Sequence, residues 1–139
     1  MSDYATLRKK SILVRKRLLR IIRSAGGGHT GGSLSSVDIL VALYYHTMRI
    51  RPEDPSWPNR DRFVLSKGHS VEGYYCVLAD RGFFPESVLD TYGKPGSILA
   101  GHPTVKVPGV ELNTGALGHG LSAGIGMALA SRMDKEQFR

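Results

Sequence analysis

The chain has 139 residues, of which 41% are apolar, with 19 basic and 12 acidic side chains and a formal net charge of +7. This composition is typical of one globular domain with a core, and no apolar run approaches the ~20 residues that a membrane span needs. The N-terminus is charged throughout, so the sequence predicts no signal peptide. The single cysteine, Cys76, excludes an internal disulfide and fits a reducing compartment. We therefore expect a cytoplasmic protein without a membrane partner.

The first predicted element is a basic amphipathic helix from about Tyr4 to Ser24. Its apolar seam alternates spacings of three and four residues, as in a helix that buries one face; the seam consists of Leu7, Ser11, Val14, Leu18, Ile21 and Ala25. Residues 1–25 hold eight basic side chains against Asp3 alone, so the net charge lies in this segment. We interpret its basic side as a solvated face, because no aromatic residue is interleaved for base stacking. A non-catalytic helical module that binds a partner protein or nucleic acid remains the alternative function.

A glycine-rich loop and a second helix follow. Residues 26–28 are three glycines, which should end the first helix, and His29 is then the one sizeable functional side chain before two more glycines at 31–32. A lone loop histidine is usually a surface residue, but flanking glycines let the backbone approach a ligand closely. The sequence SSVD at 35–38 resembles a capping box. It predicts a helix that begins there and ends near Thr47.

A strand, a turn and a third helix are predicted next. The sequence RFVLS at 62–66 indicates a strand whose run 63–65 is buried on both faces, as in a parallel sheet. The turn KGHS at 67–70 follows, and then a helix from about Val71 to Asp80. A strand, a glycine turn and a helix N-terminus are typical of the ligand-binding edge of an α/β protein. His69 lies on that turn, and we favour a functional role for it.

The last third of the chain contains a short helix, a loop and a glycine-rich helix. The short helix should begin at Pro85 and end near Tyr92, and the sequence GHP at 101–103 lies on irregular chain. The final helix follows a glycine turn at 113–118 and ends near Arg132. Two ridges of period four run along it: Leu117, Leu121, Ile125 and Leu129 are apolar, whereas Gly120, Gly124 and Ala128 are nearly bare. Its glycines cost about 4 kcal/mol of helix preference, which indicates close approach to another helix or to a ligand.

Three of the five histidines follow a glycine on a loop: His29, His69 and His102. An imidazole can carry a proton near neutral pH or donate to an oxygen, and three convergent imidazoles could bind zinc. Metal is the weaker interpretation, because there is no His-x-x-x-His pair and no cysteine partner. A polar pocket for an oxygen-rich anion explains the histidines and the glycine turn together, since a helix N-terminus suits anions.

Four motifs occur in the order seen in transketolases: GHTGGSLS at 28–35, NRDRFVLSKGH at 59–69, GHP at 101–103 and TGALGHG at 114–120. The chain resembles this family over nearly its whole length, and most of all the separately encoded N-terminal subunit of split bacterial and archaeal transketolases. The resemblance implies a thiamine-diphosphate enzyme that moves a two-carbon ketol unit between sugar phosphates. A relative that makes deoxyxylulose phosphate fits the SKGH and GHP contexts less well.

The resemblance also implies a role for each matching residue. His29 would lie by the substrate and assist proton transfers near the reacting carbon. His69 would face the cofactor diphosphate and the donor sugar, and His102 would bind hydroxyls of the donor. Gly115, Ala116 and Leu117 would lie against the cofactor, partly through their backbone. We expect the three histidines to converge on one cleft beside residues 115–117.

The implied fold is α/β: a partial doubly wound parallel-sheet thiamine-diphosphate-binding domain, helix-rich in the part present. Residues 1–139 would be its N-terminal half, with strand 63–65 central and parallel to strands beyond the chain. The family holds magnesium or calcium through a Gly-Asp-Gly turn and a later asparagine, both expected beyond residue 139. We therefore expect a truncated chain without metal ligands, inactive alone and weak at best in cofactor binding.

The resemblance implies partners as well. The glutamate that activates the cofactor belongs to another domain or subunit, so we expect a C-terminal transketolase subunit or section as partner. A homo-oligomer and sugar-phosphate substrates are also implied, whereas nucleic acid is not. The final helix should expose apolar surface in the chain alone and promote self-association or docking.

Overall fold

The computed structural model describes residues 3–139. Met1 and Ser2, which belong to the predicted segment 1–25 and the predicted domain 1–139, lie outside the described residues. The α-helices of the described chain are α1 Tyr4–Ala25, α2 Thr30–Ala42, α3 Val71–Arg81 and α4 His119–Met133. A π-helical turn Leu43–Thr47 continues α2, a 3-10 turn Gly68–Ser70 precedes α3, and a 3-10 helix spans Glu86–Thr91.

Helix α1 confirms the prediction for the first segment. The Asp3 carboxylate accepts a hydrogen bond from the Thr6 N–H at 2.6 Å, and Gly26 ends the helix in the left-handed region at φ 75°. The buried side chains follow the predicted seam, with Ile22 added: Ser11, Val14, Leu18, Ile21 and Ile22. Helix α1 packs against α2 and α3, so this seam forms one wall of the core.

The basic side of α1 is largely engaged in ion pairs. Lys10 and Arg17 both bind Asp80 of α3, and Arg17 also binds Glu86 at 2.6 Å. Two further pairs join α1 to other segments, Arg15 with Asp38 and Arg20 with Asp90. Half of the eight basic residues of this segment therefore hold α1 against the rest of the protein. This arrangement gives part of the charge of α1 a structural role.

Helix α2 begins five residues before the predicted position. The capping-box prediction at 35–38 is wrong, because Ser35 and Ser36 lie within the helix and their hydroxyls donate to the Gly32 carbonyl oxygen. The helix starts after His29 because the carboxylate of Glu72, 43 residues away in sequence, accepts the His29 N–H. A tertiary contact thus sets this helix start, although the predicted end near Thr47 is confirmed.

Helix α3 is the central element of the core. It runs from Val71 to Arg81, one residue longer than predicted, and every residue from Val71 to Ala79 is buried. It packs against α1, α2 and the 3-10 helix Glu86–Thr91, whose position confirms the predicted short helix. Cys76 is fully buried on α3, and burial raises the pKa of its thiol to about 12.

The strand predicted at 62–66 is not formed in the described residues, where no strand occurs at all. Leu65 is buried and Phe63 packs on the rings of Tyr44 and Tyr74, but Val64 is only partly buried. A strand is defined by backbone pairing along its length, and here the pairing is limited to the Arg62 N–H, which donates to the Arg139 carbonyl oxygen at 2.8 Å. The apolar run therefore packs in the core without a sheet.

Helix α4 packs on the segment 62–66, and another side of the helix is exposed to solvent. A Cβ on Gly120 would lie 2.7 Å from the Cα of Ser66, which confirms the expected close backbone approach at this glycine. Nothing described lies within 4 Å of a Cβ on Gly124 or Gly126. The predicted apolar ridge is exposed at every position, Leu117, Leu121, Ile125 and Leu129, and Met133 extends it.

Within residues 3–139, no helix has the length and apolar character that crossing a membrane would require.

Candidate active site

The three loop histidines, His29, His69 and His102, meet at one place in the structure. The ring centroids of His29 and His69 are 4.7 Å apart, those of His69 and His102 are 4.5 Å apart, and those of His29 and His102 are 5.9 Å apart. They come from three loops separated by 73 residues of chain from first to last. A cluster of imidazoles can exchange protons or donate hydrogen bonds to several oxygens of one ligand.

Helix α3 positions all three histidines. His69 lies on the 3-10 turn directly before it. The Tyr75 hydroxyl donates to the His102 carbonyl oxygen at 2.9 Å, and the Glu72 carboxylate accepts the His29 N–H at 2.9 Å. Tyr75 and Glu72 are three residues apart and share one face of the helix.

The glycine turn before α4 forms the adjoining wall. A Cβ on Gly68 would lie 2.8 Å from the backbone of Thr114, and the Thr114 hydroxyl donates to the Leu65 carbonyl oxygen at 2.7 Å. A Cβ on Gly115 would lie 3.4 Å from the ring of His102. The turns that carry His69 and Gly115 are thus packed against each other, and only small residues fit between them.

The other two residues predicted to touch the cofactor are open to solvent. Ala116 and Leu117 are exposed, with Leu117 at 70%, and the Ala116 carbonyl oxygen accepts the His119 N–H. Gly118 takes the left-handed conformation at φ 88° and begins α4. The backbone of this turn and the N-terminus of α4 therefore lie beside the histidine cluster.

The site is polar and partly desolvated. Burial lowers the pKa of His102, and the neighbouring His69 and His29 lower it further, so this ring is neutral at neutral pH. His69 Nδ1 is buried and makes no hydrogen bond within residues 3–139. An unsatisfied buried nitrogen in a cleft is suited to a ligand atom.

A metal site does not fit the described residues. No group of three or more histidine, cysteine, aspartate or glutamate side chains in residues 3–139 is arranged to hold a metal ion. The three imidazoles contact one another through their rings, at tilted or edge-on angles.

The histidine cluster and the glycine turn are formed by loops and helix ends around one central helix, α3. The family model described as "Transketolase, thiamine diphosphate binding domain" matches residues 8–139. The chain therefore belongs to the transketolase family, in the domain that binds thiamine diphosphate.

Relatives and solved structures agree with this assignment. The chain is 54% identical over 134 residues to one subunit of the apulose-4-phosphate transketolase of Phocaeicola vulgatus, covering 96% of this chain and 48% of the relative. It is 46% identical to the 6-deoxy-6-sulfo-D-fructose transketolase subunit SqwG of a Clostridium species, covering 92% and 47%. The chain thus spans about half the length of these curated relatives. The transketolase of Campylobacter jejuni superposes with a TM-score of 0.87 at 32% identity, covering 94% of this chain and 21% of that one.

Sequence reasoning missed the residues that hold the histidines in place. Glu72 and Tyr75 lie in the predicted third helix, Tyr92 lies at the end of the predicted short helix, and Ser33 belongs to the motif at 28–35 without an assigned role. One signal was available: Glu72 is the single charged residue among nine consecutive buried ones. A carboxylate at such a position needs a nearby donor or cation.

Proposed function

We propose that this chain supplies one wall of the cofactor and sugar site of a two-subunit transketolase. That enzyme would move a two-carbon ketol unit between sugar phosphates. The single observation that carries the proposal is the cluster of His29, His69 and His102 beside Gly115, formed by residues of four separate motifs. Residues 1–139 would be the N-terminal half of the cofactor-binding domain.

The proposed substrates are ketoses that carry an anionic group. The relatives described above are named for apulose 4-phosphate and for 6-deoxy-6-sulfo-D-fructose, a phosphate ester and a sulfonate. These share a polyhydroxylated chain and a strong anion. Imidazole N–H groups suit the hydroxyls of such a donor.

Each residue of the cluster has a proposed role toward the ligand. Bound thiamine diphosphate would supply the nucleophilic carbon that accepts the two-carbon unit. His69, whose Nδ1 lacks a partner among the described residues, would donate to the diphosphate and the donor sugar. His102 would donate to donor hydroxyls, and His29 would move protons near the reacting carbon. The backbone of Gly115, Ala116 and Leu117 would lie against the cofactor.

Other parts of the proposed enzyme follow from the family. We propose that the partner is a second, C-terminal transketolase subunit and that a further copy of the assembly completes an oligomer. The exposed apolar ridge of α4 supports the presence of a docking surface, because large exposed apolar patches are rare on monomers.

We also propose that residues 62–66 become a strand of a parallel sheet in the complete domain. The backbone bond from Arg62 to Arg139 is the observation that supports this strand.

Two further features of the proposed enzyme concern its metal ion and its location. A magnesium or calcium ion for the diphosphate would take its ligands from residues outside 1–139. Cys76 is a buried free thiol, which fits a reducing compartment and a cytoplasmic location.

The proposal is tested by measuring cofactor-dependent ketol transfer from phosphorylated and sulfonated ketoses after assembly of the chain with its second subunit. His29→Ala, His69→Ala and His102→Ala should each lower kcat/KM by about a hundredfold or more, since positioned acid–base groups contribute factors of that size. His46→Ala is the control, because His46 is exposed on the π-helical turn after α2. Equal activity of the His69 and His46 variants would contradict the proposed site.

A further inference from the structure

Glu72 is a buried carboxylate to which the proposed chemistry assigns no role. It lies in the first turn of α3, and its side chain is 0% exposed. Burial of an ionised carboxylate is costly unless hydrogen bonds and charges compensate for it. In this protein the compensation comes from the segments that carry and support the histidine cluster.

Three donors satisfy the Glu72 carboxylate. Oε1 accepts from the His29 N–H at 2.9 Å and from the Tyr92 hydroxyl at 2.8 Å, while Oε2 accepts from the Ser33 hydroxyl at 2.5 Å. The His29 and Ser33 donors belong to the N-terminus of α2, where the helix dipole also favours a negative charge. One side chain thus joins α3 to the start of α2 and to the residue after the 3-10 helix Glu86–Thr91.

The ion-pair partner of Glu72 carries a charge in only one of its protonation states. Within residues 3–139, its one ion-pair partner is His29, whose Nδ1 lies 3.8 Å from Oε1 and is charged only when protonated. Burial raises the pKa of Glu72, but hydrogen bonds from Ser33, His29 and Tyr92 outweigh burial and leave the pKa below its ordinary value. Glu72 is therefore an anion at neutral pH.

Four further titratable groups that interact with this carboxylate are neutral at that pH. They are the phenols of Tyr75 and Tyr92 and the thiol of Cys76, all with raised pKa values, and the imidazole of His102. The neighbouring imidazoles lower the pKa of His102, whereas Glu72 acts in the opposite direction. The charge of Glu72 thus favours the protonated form of His102, whereas the neighbouring imidazoles disfavour it.

We propose that Glu72 is a positioning residue of the histidine cluster, which fixes the His29 backbone and offsets the charge of a proton carried by the imidazoles. A nearby positive charge disfavours protonation of an imidazole, and a nearby negative charge favours it. The catalytic meaning of this inference rests on the proposed function. The electrostatic coupling itself is a property of the chain without cofactor.

The loop before His29 is fitted closely to this carboxylate. A Cβ on Gly28 would lie 2.6 Å from Glu72 Oε1 and 2.9 Å from Ile22 Cγ1, whereas no atom of the described residues lies within 4 Å of a Cβ on Gly27. Gly28→Ala would therefore displace the loop and leave the charge of Glu72 in place. Gly27→Ala is the matched control on the same loop.

The first experiment is an NMR titration of the histidines in the cofactor-free chain. Glu72→Gln keeps the shape and removes the charge, so the pKa of His102 should fall below its wild-type value. Asp80→Asn removes a buried carboxylate from the other end of the same helix and should leave the His102 titration unchanged. An unchanged His102 pKa in folded Glu72→Gln would overturn the inference.

The second experiment uses the enzyme assembled with its second subunit. Glu72→Gln and Gly28→Ala should both lower kcat on the order of tenfold with little change in KM for the sugar, because misplacing a catalytic group slows the chemical step. The acid limb of the pH profile should shift only in Glu72→Gln, while Gly27→Ala should match the wild type.

If Glu72→Gln does not fold, the inference is tested by comparing kcat of Gly28→Ala with kcat of Gly27→Ala. Equal kcat values for these two variants would overturn the inference. If the wild-type assembly shows no ketol transfer, the proposed function fails, and the titration still decides whether Glu72 is coupled to the cluster.

Discussion

The hydroxyl of Tyr75 donates a hydrogen bond to the backbone carbonyl oxygen of His102, with 2.9 Å between the two oxygens. Tyr75 is fully buried on α3, and His102 lies 27 residues further along the chain on an irregular loop. The most buried helix of the protein therefore holds the loop that contributes one histidine to the cluster. The first prediction concerns this bond.

Tyr75→Phe should loosen the His102 loop and lower activity. Loss of one buried hydrogen bond should cost about 1 kcal/mol of unfolding free energy. Tyr74→Phe is the matched control, because the Tyr74 hydroxyl donates to the Gly109 carbonyl oxygen at 2.8 Å, outside the cluster. Denaturant unfolding should show a loss of stability in both variants, whereas kcat of the assembled enzyme should fall only for Tyr75→Phe. A fall of similar size in both would argue against a specific role for Tyr75.

The second prediction compares two glycines of α4. Gly120→Ala would place a methyl group 2.7 Å from the Cα of Ser66 and 3.0 Å from Val64 Cγ1, so it should destabilise the chain by roughly 1–3 kcal/mol. Gly124→Ala meets nothing described within 4 Å and should raise stability by up to about 1 kcal/mol through helix preference. Thermal unfolding of the chain measures both. Equal melting temperatures would mean that α4 does not pack on residues 64–66.

The third prediction is a loss of stability in acid that depends on Asp80. Burial raises the pKa of Asp80, but hydrogen bonds from Lys10, Tyr45 and Arg17 outweigh burial and leave it below the ordinary value of 3.8. A carboxylate with a lowered folded-state pKa stabilises the protein above its unfolded-state pKa, and this contribution is lost as the pH falls through the folded-state pKa. The contribution of Asp80 is therefore complete at neutral pH and decreases below about pH 4.

Unfolding free energies measured from pH 7 to pH 2 check this prediction. Asp80→Asn should cost roughly 3 kcal/mol at pH 7, because it removes the carboxylate that pairs with Lys10 and leaves Arg17 with Glu86 alone, and should flatten the acid decline. Asp38→Asn is the control: that carboxylate is 71% exposed and pairs with Arg15, so its removal should cost less than about 1 kcal/mol. A similar cost for both variants would show that the Asp80 cluster does not hold α1 to α3.

The fourth prediction concerns the exposed ridge of α4. Leu121 is 66% exposed and Ile125 is 54% exposed on adjacent turns of the same face. The chain should self-associate through this face at high concentration or bind the second subunit through it. Leu121→Lys combined with Ile125→Lys should weaken both associations in sedimentation velocity, while Ile39→Lys on α2, where Ile39 is 63% exposed, should not. Unchanged association of the α4 variant would place the interface elsewhere.

Much of the local structure could be predicted from sequence because its causes are local. The seam of α1 predicted its buried face, and Gly26 ends the helix where the glycine run indicated. The start of α2 could not be predicted in this way, since the capping group is the Glu72 carboxylate of another helix. The strand predicted at 62–66 is not formed in the described residues for a related reason, since strand formation depends on backbone partners that periodicity does not specify. Of the run predicted to be buried on both faces, Leu65 is buried, whereas Phe63 and Val64 are partly buried.

The sequence by itself determined the helices, the three glycine-flanked histidines and the family, because these depend on short-range spacing and on motifs that can be read in order. Only the tertiary structure decided that His29, His69 and His102 meet, since their loops are far apart in sequence and come together through the packing of α1 and α2 on α3. It also decided which residues hold them. In the sequence, Glu72 and Tyr75 occupy ordinary positions of a buried helix. The fold brings the backbones of His29 and His102 within hydrogen-bond distance of these two side chains. The physical reason is that a buried polar group is stabilised by whatever donor or acceptor the fold brings to it.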